Sequence, residues 1–144
     1  MLMIKQSDNR PIEESVQPNR FSGIEILVID DEMDSLNILT LVFEQEGAEV
    51  RSAASAKEAL DIFNKSTPDL IISDIGMPEV DGYTLISEIR ALPKGKNLPA
   101  IALSAYAGEV DRQHSLMVGY QEHLNKPVDI YNLLSVTMQL LKLK

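Results

Sequence analysis

The feature that most constrains this chain is a strict alternation between short apolar runs and segments whose apolar residues recur at helical spacing. Five such run-and-segment units follow one another. Parallel strands need a long crossover between them, so this alternation favours a parallel sheet with helices on both faces. The sequence therefore predicts an α/β fold. Its predicted strands are Ile24–Ile29, Ala48–Ala53, Leu70–Asp74, Ala100–Ser104 and Glu122–Asn125.

Residues with capping preferences indicate where the helices begin and end. Asp34 is a candidate N-cap for the first helix, and Gly47 is suited to end it. Ser55 and Glu58 have the spacing of a capping box, and Asp129 is a candidate N-cap for the last helix. The predicted helices are Ser35–Gln45, a segment after Ser55, about Tyr83–Leu92, Glu109–Val118 and a last one ending near Leu143, while Pro93–Asn97 is predicted to be a solvated loop.

Composition and charge narrow the class of protein. Residues 1–22 are polar and contain prolines, so we predict a flexible leader or interdomain linker there and one domain over 23–144. The 13 basic and 22 acidic residues give a net charge of -9, which argues against binding to nucleic acid or anionic membranes. There is no cysteine, hence no disulfide or thiolate metal site. No apolar run resembles a membrane span or a secretory signal, so we expect a cytoplasmic protein without membrane insertion.

Polar side chains occur at the ends of four of the five predicted strands. Asp30 and Asp31 follow the first strand, Asp74 ends the third, Ser104 ends the fourth, and Lys126 follows the fifth. The carboxyl ends of parallel strands meet at one edge of the sheet, where open α/β sheets place their ligands. We therefore expect three carboxylates, a hydroxyl and an amine to meet there.

This combination of groups suggests phosphoryl chemistry. Crowded carboxylates resist ionisation unless a cation joins them, and oxygen-only ligands suit Mg²⁺, or Mn²⁺ in its place. An ammonium and a hydroxyl suit phosphate oxygens. Taken singly, Asp74 is often a turn former and Lys126–Pro127 often a turn. Their joint occurrence favours a phosphoryl-transfer site with a carboxylate nucleophile.

Four segments of the chain resemble the receiver domain of two-component response regulators. They are Val28–Glu32, Ser73–Gly82, Leu103–Ala105 and Leu124–Pro127, within a resemblance that spans about Ile24–Lys144. The family implies a flavodoxin-like, doubly wound (βα)5 fold with strand order 2-1-3-4-5. The stretch from Ala105 to Val128 looks especially like receivers of hybrid sensor histidine kinases.

The resemblance implies that Asp74 is phosphorylated. The donor would be the phosphohistidine of a histidine kinase or phosphotransfer protein. Asp31, Asp74 and the backbone carbonyl of Gly76 would bind Mg²⁺ directly, and Asp30 would act through a bound water. The resemblance thus assigns a nucleophile and a metal site.

Further roles follow from the same resemblance. Ser104 and Lys126 would contact the phosphoryl oxygens, and the Lys126–Pro127 peptide bond would be cis. His123 stands at a position that is often Tyr or Phe in the family and rotates inward on phosphorylation. A histidine ring can also occupy two rotamers, and the alternative is a half-exposed strand residue. Tyr106 is bulky enough to shield the acyl phosphate.

The leading hypothesis is a phosphoacceptor switch with weak self-catalysed phosphorylation and dephosphorylation, rather than an enzyme. The alternative is an aspartyl-phosphate phosphatase of small phosphoesters. Such enzymes tend to use an Asp-x-Asp pair and a cap domain, whereas Gly76 lies two residues after Asp74, with no side chain to position a water. A flavin- or nucleotide-binding module is a third hypothesis, but Asp30–Glu32 would repel its phosphates.

The end of the chain bears on the output. The last predicted helix reaches Lys144, which leaves no room for a DNA-binding module, so we expect signalling by protein contact from a stand-alone receiver or one excised from a larger kinase. The resemblance implies a read-out surface on the fourth helix, fifth strand and fifth helix, with Tyr120, His123 and Tyr131 as candidate residues. A homodimer through this face is an open alternative.

Overall fold

A computed structural model describes residues 4–5, 19–105 and 108–143 of the chain. The main strands are β1 (Glu25–Ile29), β2 (Glu49–Ala53), β3 (Leu70–Asp74), β4 (Ala100–Ser104) and β5 (Glu122–Asn125). The helices are α1 (Met33–Gln45), α2 (Ala56–Lys65), α3 (Gly82–Arg90), α4 (Glu109–Val118) and α5 (Ile130–Leu141). All neighbouring strands of the sheet are parallel and their order is β2-β1-β3-β4-β5. The predicted flavodoxin-like α/β fold and strand order are confirmed.

The sheet is covered on both faces, which explains why its central strands are apolar except toward their carboxyl ends. Every residue of β3 and β4 is buried. Successive residues of a strand point to opposite faces. One face, with Leu27 and Ile71, packs against α2 and α3, and the other, with Val28 and Ile72, packs against α1 and α5.

The register of the strands places their carboxyl ends side by side. Ile29 of β1 is opposite Ser73, and Asp74 of β3 is opposite Leu103. Ser104 of β4 is in turn opposite Asn125. The residues that end or follow β1, β3, β4 and β5 therefore share one edge.

The predicted N-cap of α1 is wrong. The helix begins at Met33, so Glu32 occupies the N-cap position and Asp34 lies in the first turn. The carboxylate of Asp30 accepts a hydrogen bond of 2.9 Å from the Glu32 N–H. This bond shapes the turn that enters the helix, and the helix starts before the apolar spacing becomes visible.

The other predicted caps are confirmed. The Ser55 hydroxyl accepts from the Glu58 N–H at 3.2 Å, and the Glu58 carboxylate accepts from the Ala54 N–H. Asp129 caps α5 by accepting from the Asn132 N–H. Helix α5 ends at Leu141, two residues before its predicted end, because Lys142 adopts a left-handed conformation.

The segment Pro93–Asn97 is not a wholly solvated loop. Pro93–Gly95 forms a 3₁₀ turn, and Gly95 is buried against Ile89. The Arg90 guanidinium donates to the Gly95 carbonyl at 2.7 Å. A Cβ at Gly95 would overlap the Ile89 carbonyl oxygen, so the turn needs glycine there.

Part of the predicted leader is described by the structure. Ile4–Lys5 pairs in parallel with Val128–Asp129, just after Pro127. Phe21 is fully buried and its ring centroid lies 5.7 Å from that of Phe43. The rest of the leader up to residue 18 lies outside the described residues, and its flexibility stays a prediction. Among the described helices, none is long and apolar enough to cross a membrane.

We expect Gly47→Ala to destabilise the fold more than Gly23→Ala. Both glycines have positive φ, +92° and +81°, where a Cβ costs about 1–2 kcal/mol. A Cβ at Gly47 would also lie 2.7 Å from the Cα of Asn19, whereas among the described residues beyond its chain neighbours nothing lies within 4 Å of one at Gly23. Urea unfolding should show a loss of about 1 kcal/mol for Gly23→Ala and more than 2 kcal/mol, roughly, for Gly47→Ala. Equal losses would contradict this packing.

Candidate functional site

Three aspartates meet at the edge where the strands end. One carboxylate oxygen from each of Asp30, Asp31 and Asp74 lies within 4.8 Å of the other two. The Lys126 ammonium lies 3.3 Å from an oxygen of Asp30 and 3.4 Å from one of Asp74. The structure thus brings together four of the predicted site residues, delivered by the ends of β1, β3 and β5.

Ser104 stands at the same edge. It is buried at the end of β4, and its carbonyl accepts a hydrogen bond of 2.8 Å from the Lys126 N–H. The Lys126–Pro127 peptide bond is cis, as the family resemblance implied. The backbone of β4 is therefore bonded to the residue that carries the site's ammonium.

Burial and mutual repulsion dominate the electrostatics of the aspartates. Burial raises the pKa of Asp74, the negative charge of Asp30 raises it further, and Lys126 opposes both. Burial likewise raises the pKa of Asp30 despite the contact with Lys126. Asp31 is exposed, so the cluster opens to solvent on its side. Lys126 therefore contacts two of the three carboxylates that meet here.

The cluster fits a hard divalent cation. Its three grouped ligands are all carboxylate oxygens, which suit Mg²⁺, and an added cation would offset the charge that Lys126 leaves uncompensated. The backbone of Gly76 lies near enough to the Asp74 carboxylate to oppose the rise of its pKa, so Gly76 is beside the cluster. The binding of Mg²⁺ by the Gly76 carbonyl stays a prediction.

The loop between β3 and α3 holds this arrangement in place. Ile75 and Met77 are buried, and the Ile75 carbonyl accepts hydrogen bonds from the Met77 and Gly82 N–H groups at 3.0 and 2.9 Å. Asp81 caps α3 by accepting from the Thr84 N–H at 2.9 Å. These hydrogen bonds and the two buried side chains therefore close the loop beside the site.

His123 is buried rather than half-exposed. It lies opposite Ala102 of β4, and its Nδ1 is 2.7 Å from the hydroxyl of Ser115 on α4. The ring thus links α4 to β5. The other residue predicted to modulate the site, Tyr106, lies outside the described residues.

Tyr120 is the site neighbour whose place the sequence analysis missed. It was expected on the read-out surface, but only 2% of it is exposed. Its hydroxyl donates to the Gly82 carbonyl at 2.8 Å, at the end of the loop that follows Asp74. A tyrosine directly after Gly119 carries no sequence signal for such a contact, because the partner is a backbone atom 38 positions away.

In the absence of divalent cations, we expect Asp74→Asn to raise the free energy of unfolding at neutral pH by roughly 1 kcal/mol. Burial and Asp30 raise the pKa of Asp74, so its ionised form destabilises the fold. This free-energy cost is absent at pH values below the ordinary pKa of 3.8. It grows as the pH rises through the higher pKa that Asp74 has in the folded protein. Urea unfolding in EDTA, once at a pH below 3.8 and once at neutral pH, measures this cost.

Exposed Asp61 on α2 provides the matched control as Asp61→Asn. It should leave stability nearly unchanged at either pH. A destabilised Asp74→Asn at neutral pH in EDTA would contradict the assigned electrostatics.

Comparison with known proteins agrees with this geometry. The family model described as "Response regulator receiver domain" matches residues 26–137. An uncharacterized 14.6 kDa protein from the sodA1 3′ region of Leptolyngbya boryana is 48% identical over 116 residues, which cover 81% of this chain and 88% of that protein. The sensor histidine kinase CheAY of Helicobacter pylori is 32% identical over 134 residues, which cover 92% of this chain and 17% of that protein.

Solved structures show the same fold. The signal receiver domain of a signal transduction histidine kinase from Syntrophus aciditrophicus superposes with a TM-score of 0.77 at 31% identity, covering 83% of this chain and 91% of that one. Chemotaxis protein CheY4 of Vibrio cholerae gives a TM-score of 0.78 at 27% identity, covering 81% and 98%. The chain belongs to the receiver domains of two-component response regulators, which are phosphoacceptor modules in signalling.

Proposed function

We propose that this chain is a phosphoacceptor of a phosphorelay. Asp74 accepts a phosphoryl group from the phosphohistidine of a histidine kinase or phosphotransfer protein in the presence of Mg²⁺, and the change alters a protein-binding surface. The observation that supports this most is the meeting of three aspartates and Lys126 at one sheet edge, with Asp74 at the end of a fully buried strand.

The proposed reaction moves one phosphoryl group. An oxygen of Asp74 bonds to phosphorus as the phosphorus–nitrogen bond of the phosphohistidine breaks, and the imidazole leaves with the electron pair of that bond. Mg²⁺ would be held by Asp31, Asp74 and the Gly76 carbonyl, with Asp30 acting through water, and would offset charge on the transferring oxygens.

Lys126 and Ser104 then sense the product. In the unphosphorylated protein, Lys126 contacts Asp30 and Asp74 at 3.3 and 3.4 Å. The oxygens of a phosphoryl group on Asp74 would be stronger hydrogen-bond acceptors for the Lys126 ammonium. The Ser104 hydroxyl would donate to another phosphoryl oxygen. Because these residues end β4 and precede α5, their movement would carry the change to the α4–β5–α5 surface.

We propose contact with other proteins as the output. The net charge of -9 disfavours nucleic acid as a direct partner. The proposal includes a cytoplasmic location, a read-out by α4, β5 and α5, and a homodimer through that face as an alternative to a different partner. The chain would not act as a turnover enzyme, and its chemistry would be limited to its own slow phosphorylation and dephosphorylation.

We expect wild type to gain one phosphoryl group from acetyl phosphate in the presence of Mg²⁺, because the donor needs only a positioned carboxylate and charge neutralisation. Intact mass spectrometry measures the gain. Asp74→Ala should gain none, EDTA should abolish the gain, and Lys126→Met should slow it by at least about tenfold.

The control variant Asp61→Asn should be phosphorylated like wild type. A gain of equal size on Asp74→Ala would contradict the assignment of the nucleophile. Continuous release of phosphate from a generic phosphoester, at a rate that depends on Asp74, would instead favour the phosphatase alternative.

We also expect Ser115 to hold His123 inside the fold. The chain has two histidines, and His114 on α4 is exposed, so it serves as an internal reference. In deuterated water the C2 proton of His123 should exchange at least about tenfold more slowly than that of His114, because its ring is buried. Ser115→Ala should speed exchange at His123 alone, as measured by mass spectrometry.

Ser87→Ala is the matched control, since Ser87 is an exposed helical serine whose hydroxyl bonds within its own helix. Phosphorylation should change the exchange of His123 if it acts as the switch. Unchanged exchange on full phosphorylation would show that His123 takes no part in transmission.

A further inference from the structure

A buried tyrosine hydroxyl lies directly beneath the loop of the site. Tyr120 donates its hydroxyl proton to the Gly82 carbonyl at 2.8 Å. Burial raises the pKa of Tyr120, so the hydroxyl keeps its proton and remains a donor. The ring therefore ends in a polar group that is bonded to the backbone at the end of the site's loop.

Hydrogen bonds also fix the beginning and the end of the loop that carries Gly76. The Ser73 hydroxyl donates to the Asp74 carbonyl at 2.9 Å, at the start of the loop. Gly82 ends the loop, and its N–H donates to the Ile75 carbonyl at 2.9 Å. The hydroxyl of Tyr120 thus bonds to the residue that ends the loop, and that residue is itself bonded to the start of the loop.

The packing at this point leaves little freedom. A Cβ placed on Gly82 would lie 2.7 Å from the Asp74 carbonyl oxygen, 2.8 Å from the Ile75 Cα and 3.1 Å from the Tyr120 hydroxyl. The first residue of α3 is therefore in direct contact with the backbone of the phosphoacceptor. A shift of Gly82 would be transmitted to Asp74 and to the adjacent Gly76.

We propose that Tyr120 is a positioning residue for the metal-binding phosphoacceptor site. Its hydroxyl fixes Gly82, which contacts the backbone of Asp74 and Ile75 at the start of the loop, and this sets where the Asp74 carboxylate and the Gly76 carbonyl stand relative to Asp30 and Asp31. The inference rests on the proposed function, because it assigns Tyr120 a part in the binding of Mg²⁺ by that site.

The backbone of Tyr120 ties the same element to α4. Its N–H donates to the Ser115 carbonyl at 3.0 Å, and the Ser115 hydroxyl contacts His123 at 2.7 Å. One residue thus connects the loop of the site with the last turn of α4 and, through Ser115, with β5. This contact path is separate from the one that runs through Ser104 and Lys126.

The test compares Tyr120→Phe with Tyr83→Phe. Phenylalanine fills the same space and removes only the hydroxyl, and Tyr83 is a half-buried tyrosine on α3 whose ring packs on His114. Calorimetric titration with MgCl₂ measures the dissociation constant, and thermal unfolding in EDTA measures stability without the metal. Because Tyr120→Phe loses the hydrogen bond that positions the loop, it should bind Mg²⁺ about fivefold more weakly than wild type.

Phosphorylation of Tyr120→Phe by acetyl phosphate should slow in parallel at low Mg²⁺ and recover at saturating Mg²⁺. Tyr83→Phe should match wild type in every measurement. A merely structural tyrosine would lower the melting temperature in EDTA and leave the Mg²⁺ dissociation constant within twofold of wild type, and that result overturns the proposal.

Gly82→Ala approaches the same contact from the other side. Its Cβ would push against the Asp74 carbonyl and the Tyr120 hydroxyl, so Mg²⁺ binding should weaken here too. Weak binding by Gly82→Ala with normal binding by Tyr120→Phe would assign the effect to packing and overturn the role of the hydroxyl. Failure of wild type to bind Mg²⁺ or to gain a phosphoryl group would instead overturn the proposed function, and the role of Tyr120 with it.

Discussion

The sharing of one ammonium among buried carboxylates is the interaction on which the rest of this structure depends. Lys126 contacts Asp30 and Asp74, which come from strands neighbouring each other at the centre of the sheet, and Asp31 adds a third charge at the solvent side. Desolvation and like-charge repulsion make this edge costly when all three are ionised. The apolar burial of β3 and β4 stabilises the fold enough to hold them there.

The excess of negative charge at this edge explains how one bound cation or one phosphoryl group could change contacts across the fold. A divalent cation would relieve the repulsion, and the proposed phosphoryl group on Asp74 would redistribute the contacts of Lys126. The groups around the site are joined to the fold by short hydrogen bonds: Lys126 to β4, and Tyr120 to Gly82 and α4. Packed interiors transmit displacement because their side chains have few voids into which to relax. A change at Asp74 is therefore placed to reach α4 and β5.

The parts of the fold that were predicted correctly have a local cause. Leu70–Asp74 and Ala100–Ser104 were recognisable because strands buried on both faces are apolar along most of their length, with polar residues only toward the carboxyl end. Ser55 and Asp129 were recognisable because a cap bonds to the backbone a few residues away. The predictions that failed depend on contacts that leave no pattern in the sequence: Asp30 shapes the start of α1 by a bond to the Glu32 N–H, Ile89 packs on Gly95, and Tyr120 bonds to Gly82, 38 positions away.

The sequence by itself determined the fold class, the strand order through the resemblance it carries, and the set of acids, hydroxyl and amine available at the strand ends. It did so because alternating hydrophobic periods and residue types at strand ends are properties of neighbouring positions. Only the tertiary structure decided how these groups share charge: which aspartates are buried, which of them Lys126 contacts, and that His123 meets Ser115 inside the fold. These outcomes depend on distances between residues far apart in the chain, which packing alone sets.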